Sequence, residues 1–296
     1  MATLALGRTR LSRVVDDIGR FPLERLLPSA DRAAFEAERP ALEPWCVDPA
    51  SGELLISFHS WLIRRDGLTI LVDACLGEHK DRPLRPAWHR RSGTPYLSRL
   101  KAEGVTPEGV TPEQVDCVLC THLHADHVGW NTRLENGRWV PTFPNARTLV
   151  GKRELAHARH LAANPSDPPE DHGSFADSVQ PLLDAGRIEA VEETHEIAEG
   201  LRLAPAFGHT PGQVMLRAEE PGERPALLTG DVIHHPVQLA MPNVSSRFCG
   251  DPAAAAATRR RVLEEAAGRD AYLLTVHFPG PDFHRVRRDG AGFRLR

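Results

Sequence analysis

A six-residue apolar run, Val115–Cys120, leads without a break into Thr121-His122-Leu123-His124-Ala125-Asp126-His127. An apolar run of this length reads as a strand buried on both faces, which belongs inside a parallel sheet. The end of such a strand is where α/β scaffolds keep their chemistry. His122 and His124 are two residues apart, so extended backbone sends both rings to the same side. Asp126 and His127 come after the chain has turned and reach a second centre nearby. Three imidazoles and a carboxylate this close together suit a borderline divalent cation such as zinc. The competing reading is a histidine-rich surface loop, and the residues downstream weigh against it.

Three later segments end apolar strands in the same way. Gly208-His209-Thr210-Pro211-Gly212 places a histidine in a tight turn, Thr229-Gly230-Asp231 a carboxylate, and Thr275-Val276-His277 a second histidine. A lone strand-end histidine is more often a capped or solvated residue. Together with the first cluster these make seven ligand-type side chains, the number that two metal ions sharing one carboxylate require.

The frame around them alternates strands and helices, which is the α/β class. Leu54–Phe58 and Trp61–Ile63 read as strands. Arg65-Asp66-Gly67 is a hairpin signal before the strand Leu68–Val72. Thr94-Pro95 opens a helix that stops at Gly104, followed by the short tandem GVTPEGVTPE and, further on, a Pro/Asp-rich loop at 164–173. Lys152–Ala163 and Ser174–Ala185 read as helices, and Asp251-Pro252 starts another that runs to Ala267. Residues 1–50 read as an irregular leader packed on a single domain formed by 51–296. Loop 79–91 carries six basic or imidazole side chains besides Lys80 and reads as a solvated loop.

Composition removes several classes of function. The net charge is −4, without long runs of like charge, so no nucleic-acid surface is expected. No apolar stretch approaches 18 residues, so no membrane span is expected. The N-terminus lacks a secretory core, and five scattered cysteines point to a reducing, cytoplasmic compartment rather than a disulfide framework. Cys117 and Cys120 sit three apart on a strand and face opposite ways, as core thiols.

The ordered set HLHADH, GHTPG, TGD and TVH resembles the metallo-β-lactamase-fold hydrolase superfamily, across residues 54–277. The resemblance implies a four-layer αβ/βα sandwich with metals at one edge. By position it implies that His122, His124 and His209 hold one metal and Asp126, His127 and His277 a second, with Asp231 bridging. It also implies that Asp73 supports the ligands from behind. The expected cofactors are two Zn²⁺, and because no ligand is a cysteine, Mn, Fe or Co are admitted on softness. Two such ions lower the pKa of a bridging water, and the hydroxide formed attacks a carbonyl or phosphoryl centre. Asp126 and Asp231 are the expected catalytic carboxylates, Asp126 orienting the nucleophile and moving its proton.

Within the superfamily the chain resembles the lactonase and methyl-parathion-hydrolase-like group. Secreted β-lactamases carry a cysteine at the position of Asp231. Only 19 residues follow His277, too few for a glyoxalase II-type tail. The 82-residue spacing from His127 to His209 leaves room for the two helices at 152–185. The expected function is a dinuclear hydrolase acting on a small-molecule lactone or carboxylic ester. The alternatives are a phosphotriesterase or arylesterase with the same site and a non-catalytic metal- or ligand-binding sensor. Trp130 is expected either to wall the substrate pocket or to pack in the core. His234, or its neighbour His235, is expected to touch substrate or to hold Asp231. A homodimer is expected at the level of the family.

Overall fold

The computed structural model describes residues 3–43, 45–102, 109–166, 171–281 and 283–296. Gly104 and the first half of the GVTPE tandem lie outside these residues, as does the stretch 167–170 of the Pro/Asp-rich loop.

In chain order the strands begin with β1 (Thr3–Leu6), β2 (Thr9–Phe21), β3 (Leu54–Arg65), β4 (Leu68–Val72) and β5 (Cys117–Cys120). The hairpin β6 (Thr132–Glu135) and β7 (Arg138–Pro141) follows, then β8 (Arg147–Gly151) and β9 (Ile188–Val191). The last seven are β10 (Glu196–Ala198), β11 (Leu201–Pro205), β12 (Val214–Ala218), β13 (Ala226–Leu228), β14 (Tyr272–Leu274), β15 (His284–Asp289) and β16 (Gly292–Leu295). One seven-stranded sheet has the order β1-β2-β3-β4-β5-β8-β9, and a second runs β10 to β16 in sequence order. Strands β4, β5, β8 and β9 pair in parallel, as do β13 and β14; the other registers are antiparallel. The expected mixed α/β class is what the chain adopts.

The chain divides into two compact units. Unit 1 consists of Met1–Asp16 and Phe58–Glu193, and unit 2 of Asp17–Ser57 and Thr194–Arg296. The boundaries fall inside β2 and β3, so each unit is made of two segments. The stretch 1–50, expected to be irregular, holds regular elements. It contributes β1, β2 and an 11-residue helix, Arg32–Leu42, capped by Asp31. Its charge disguises it: in Thr9–Phe21 the buried positions Thr9, Leu11, Ser12, Val14 and Asp16 are interspersed with Arg10, Arg13 and Asp17, so the strand is half-buried without a clean alternation.

In unit 1, Leu71, Val118 and Val150 of the parallel strands pack with Tyr96 and Leu100 of the Tyr96–Ala102 helix and with Leu155 of the Lys152–Ala163 helix. Asp66 (φ 47°) and Gly67 (φ 84°) form the expected two-residue turn, with Arg65 opposite Leu68. The same chemistry recurs at Asn136 (φ 50°) and Gly137 (φ 77°), which join β6 to β7. That Asn-Gly pair is a hairpin signal the sequence reading passed over.

The expected helix Ser174–Ala185 is split. Phe175–Val179 winds as a π-turn and Gln180–Asp184 as an α-turn. Pro181 has no N–H to give to the carbonyl four residues back, Asp177. That carbonyl instead accepts from the Thr132 hydroxyl and from Lys80 Nζ at 3.2 Å. The Asp177 carboxylate takes both arms of Arg82 at 2.7 and 2.8 Å. Lys80 also donates to Thr132 Oγ1 at 2.6 Å and stands 3.7 Å from the Trp139 ring centroid. Loop 79–91 is therefore not simply solvated: Lys80 and Arg82 are buried, recruited by one carboxylate on a distorted helix.

In unit 2, Met215, Leu227, Leu273 and Val286 pack against Val262, Leu263 and Ala266 of the Pro252–Gly268 helix. Each of the valine, leucine and methionine side chains contributes about 1.5–3 kcal/mol by leaving water. Asp251 caps this helix by accepting from Ala254 N at 2.9 Å, and Pro252 fills its first turn. All five cysteines are free and buried. Among the described residues no helix is long and apolar enough to cross a membrane.

Burial, opposed in part by Asp177, brings the Lys80 ammonium down from 10.5 to about 7. Between those values the unfolded chain holds a proton that the folded chain has lost, so this group makes stability rise with pH from about 7 to 10.5. Denaturant unfolding of wild type and Lys80→Met across that window is expected to show a steeper rise in wild type. Equal slopes would mean that Lys80 stays charged in the fold.

Candidate metal centre

Unit 1 supplies His122, His124, Asp126 and His127, and unit 2 supplies His209, Asp231 and His277. Each set is built by its own local structure.

In unit 1, parallel pairing of β4 with β5 sets Val72 beside Leu119, and Asp73 N donates to Leu119 O at 2.8 Å. Asp73 adopts φ 60°, a conformation uncommon outside glycine, and it turns its carboxylate across the end of β5. There it accepts from Thr121 N at 2.8 Å and from Thr121 Oγ1 at 2.9 Å. The same carboxylate lies 3.0 Å from His127 Nδ1. A carboxylate partner makes Nδ1 the protonated nitrogen and directs the Nε2 lone pair outward, the state a metal ligand needs.

The rings of His122 and His124 do leave one side of the chain, with centroids 4.6 Å apart. His127 brings its ring to 4.0 Å from that of His122. His124 is extended and starts the single helical turn Ala125–Val128, which swings Asp126 and His127 round. Glu154 of the Lys152–Ala163 helix, itself buried, accepts from Leu123 N at 3.0 Å and steadies the stretch between the two histidines. Gly129 closes the turn against the backbone of Leu76, where a Cβ would come within 2.0 Å of a carbonyl carbon. Asp126 is the more open carboxylate, with 16% of its side chain exposed.

In unit 2, Asp231 follows β13 at φ −90°, ψ 23° in a short turn, with only 4% of its side chain exposed. Three imidazoles converge on it. His209 Nε2 is 3.1 Å from Oδ2, His234 Nε2 3.3 Å from Oδ2, and His277 Nε2 3.0 Å from Oδ1. His277 Nδ1 is 2.9 Å from the Ser57 carbonyl, which fixes Nδ1 as the donor and turns Nε2 to the carboxylate. His209 Nδ1 is 3.5 Å from the Cys249 sulfur, and burial raises that thiol to about 12, so it is neutral.

The Gly208-His209 turn is pressed on the start of the Pro252–Gly268 helix. Gly208 has φ 126°, and a Cβ there would lie 2.2 Å from Ala255 N. Only glycine fits this approach. Gly250 N donates to His209 O and Asp251 N to Gly208 O, at 2.8 and 2.9 Å.

The structure separates the two histidines after Asp231. His234 lies on the carboxylate, and burial lowers its pKa, keeping the ring neutral despite the opposing pull of Asp231. His235 faces away, with Nε2 2.8 Å from the Cys46 carbonyl and Nδ1 accepting from Val237 N at 3.2 Å. Both its nitrogens are used in packing. Burial takes its pKa down to about 4. Trp130 is a core side chain. It is 3% exposed, and its ring stacks on Tyr96 at 5.3 Å and 13°.

Ser57, Glu154, Cys249 and Gln238 support these segments and were not singled out from sequence. Each reaches its partner over a distance in the chain, or along a turn, that no spacing rule encodes.

The donor chemistry fits a divalent metal pair: five imidazoles and two carboxylates without a thiolate, two of the rings held in the ligand tautomer by their other nitrogen.

Comparison with known proteins gives the same frame. The family model described as "Metallo-beta-lactamase superfamily" matches residues 59–277. Among solved structures, the hydrolase AbOPH of the beta-lactamase superfamily is 22% identical, with TM-score 0.81, over 99% of this chain and 95% of that one. AidC, a dizinc quorum-quenching lactonase, is 18% identical, with TM-score 0.79, over 100% and 96%. A probable metal-dependent hydrolase from Staphylococcus aureus is 16% identical, with TM-score 0.77, over 99% of each. With the matched span running from the middle of β3 to His277, the chain belongs to the metallo-beta-lactamase superfamily.

Proposed function

We propose that the chain is a dinuclear zinc-dependent hydrolase of lactones or carboxylic esters. The observation that carries this reading is the pinning of His127 by Asp73 and of His277 by the Ser57 carbonyl. Each leaves one imidazole nitrogen committed to an outside partner, so the ligand set is organised by the fold itself. In this reading His122, His124 and His209 hold one ion, Asp126, His127 and His277 the other, and Asp231 is shared. Mn, Fe or Co are compatible with the same donors.

When bound, a pair of divalent ions supplies an activated water and a polarised acyl oxygen. The chain's own residues do the rest. Asp231, buried among three imidazoles, presents its two oxygens in opposite directions, Oδ2 to His209 and Oδ1 to His277. Asp126 is the more open of the two carboxylates and the one able to accept the nucleophile's proton and return it to the leaving oxygen. His234, neutral and with Nε2 3.3 Å from Asp231 Oδ2, is a further imidazole beside that carboxylate.

Lactone chemistry is favoured by the likeness to AidC and to an N-acyl homoserine lactone hydrolase solved with N-hexanoyl-L-homoserine at its metal centre. The five unpaired cysteines support a cytoplasmic location.

Initial rates of zinc-loaded protein on a medium-chain acyl-homoserine lactone, an aryl ester and an aryl phosphotriester test the substrate class. A chelator-sensitive preference for the lactone is expected. Preference for the phosphotriester would replace this reading with phosphotriester hydrolysis, and silence on all three with two metals bound would remove the lactone and ester assignment.

Asp231→Asn is expected to lower turnover by more than the roughly 10–100-fold that outer-shell changes cost. Metal analysis of the same variant is expected to show fewer than two ions per chain. Wild-type turnover in Asp231→Asn would overturn the shared-ligand role. Retained ligand binding without turnover in wild type would favour a sensor.

A further inference from the structure

Arg259 is, after Trp61, the largest fully buried side chain among the described residues and lies on the helix Pro252–Gly268. Its neighbours Arg260 and Arg261 reach outward, to exposed Asn243 and to the half-buried Pro205 carbonyl. Arg259 instead points inward and meets no carboxylate among the described residues. All its hydrogen bonds go to neutral oxygens. Nε donates to Val232 O at 2.8 Å, Nη1 to Pro242 O at 2.9 Å and Val244 O at 2.8 Å, and Nη2 to Ser245 Oγ at 3.4 Å. A buried cation without a counter-ion is costly, and a core helix is satisfied far more cheaply by an aliphatic residue. What the guanidinium offers is a rigid planar fork that holds several acceptors in fixed relation.

Those acceptors lie on two segments that matter. Val232 is the residue after Asp231. Pro242, Val244 and Ser245 begin the strap 242–251, whose far end presents Cys249 to His209 Nδ1 and Gly250 N to His209 O. Gln238 joins the same pieces, accepting from His234 N and His235 N at 2.8 and 3.1 Å and donating to Val244 O at 2.8 Å. One fork thus links the turn that carries Asp231 to the strap that backs His209, all within unit 2.

We propose that Arg259 is a positioning residue for metal binding: its fork sets the relation between Asp231 and His209 by clamping the Val232 carbonyl to the 242–245 strap. The inference rests on the metal reading above. Absence of zinc binding by wild type removes the metal reading and this inference with it, whereas with zinc bound the comparison of variants tests Arg259 by itself.

The experiment compares wild type, Arg259→Lys, Arg259→Met, Cys249→Ala and Val262→Ala. The last truncates a core side chain on the same helix and reports destabilisation without loss of the fork. Zinc affinity is read by competition with a chromophoric chelator, kcat and KM on the best substrate found, and Tm by thermal melting. The His209 ring ¹⁵N resonances of the metal-free protein give a readout that needs no metal. The expected result is at least about a tenfold weaker zinc affinity in both Arg259 variants, the range of outer-shell changes. A lower kcat, KM within about threefold and shifted His209 resonances are expected with it. Cys249→Ala should move His209 in a similar way, and Val262→Ala should lower Tm alone. If Arg259→Met does not fold, Arg259→Lys and Cys249→Ala decide. The proposal is overturned if the Arg259 variants lose Tm as Val262→Ala does, yet keep wild-type zinc affinity, kcat and His209 resonances per folded protein. It is also overturned if wild type binds no zinc.

Discussion

The Asp73 carboxylate is the contact on which the first half of the ligand set depends. It is buried, it sits at the end of a parallel strand, and it accepts twice from Thr121, the residue just past the next strand, before reaching His127. A carboxylate in that position is stable only if several donors share its charge. Parallel pairing supplies them, because the neighbouring strand ends at the same level and exposes an N–H there. The sheet register, the buried acid and the tautomer of a ligand histidine are therefore one arrangement. Loss of any of the three would free the histidine segment to relax.

Unit 2 solves the same problem with different means. Its central group is itself a ligand carboxylate, Asp231, and the imidazoles around it are held through backbone carbonyls, a thiol and a strap. Where unit 1 relies on a carboxylate behind a histidine, unit 2 places the carboxylate in front and uses neutral groups behind. The neutrality is consistent with the electrostatics: His234 stays uncharged by burial, and Cys249 stays a thiol.

What could be read from sequence was whatever is local. The strand Leu68–Val72, the Asp66-Gly67 turn, the helix Lys152–Ala163 and the strand Ala226–Leu228 all follow from periodicity and turn chemistry, and they stand where expected. The seven ligand-type residues were legible because they fall on four segments that each follow an apolar strand. Three features were not. Strand β2 hid because its solvent side is heavily charged. The π-turn at Phe175–Val179 hid because its cause is the meeting of Pro181's missing N–H with Thr132 and Lys80 from far along the chain. The supports Ser57, Glu154 and Arg259 hid because a carbonyl, an ordinary helix glutamate and one arginine among three in a row carry no local mark of what they face.

The division of the chain has a consequence for synthesis. Unit 1 is complete in sequence once Glu193 has been made, whereas Asp17–Ser57 belongs with Thr194–Arg296. During translation the early segment of unit 2 must outlast the whole of 58–193 before its other half exists. At about 5–20 residues per second that interval is on the order of ten seconds. Over that time β2 and β3 each have one end in a unit able to fold and the other in a unit still unfinished. Half of each of these strands therefore serves as the tether on which the remainder of unit 2 is later assembled, and vectorial synthesis imposes an order on folding that refolding from denaturant does not share.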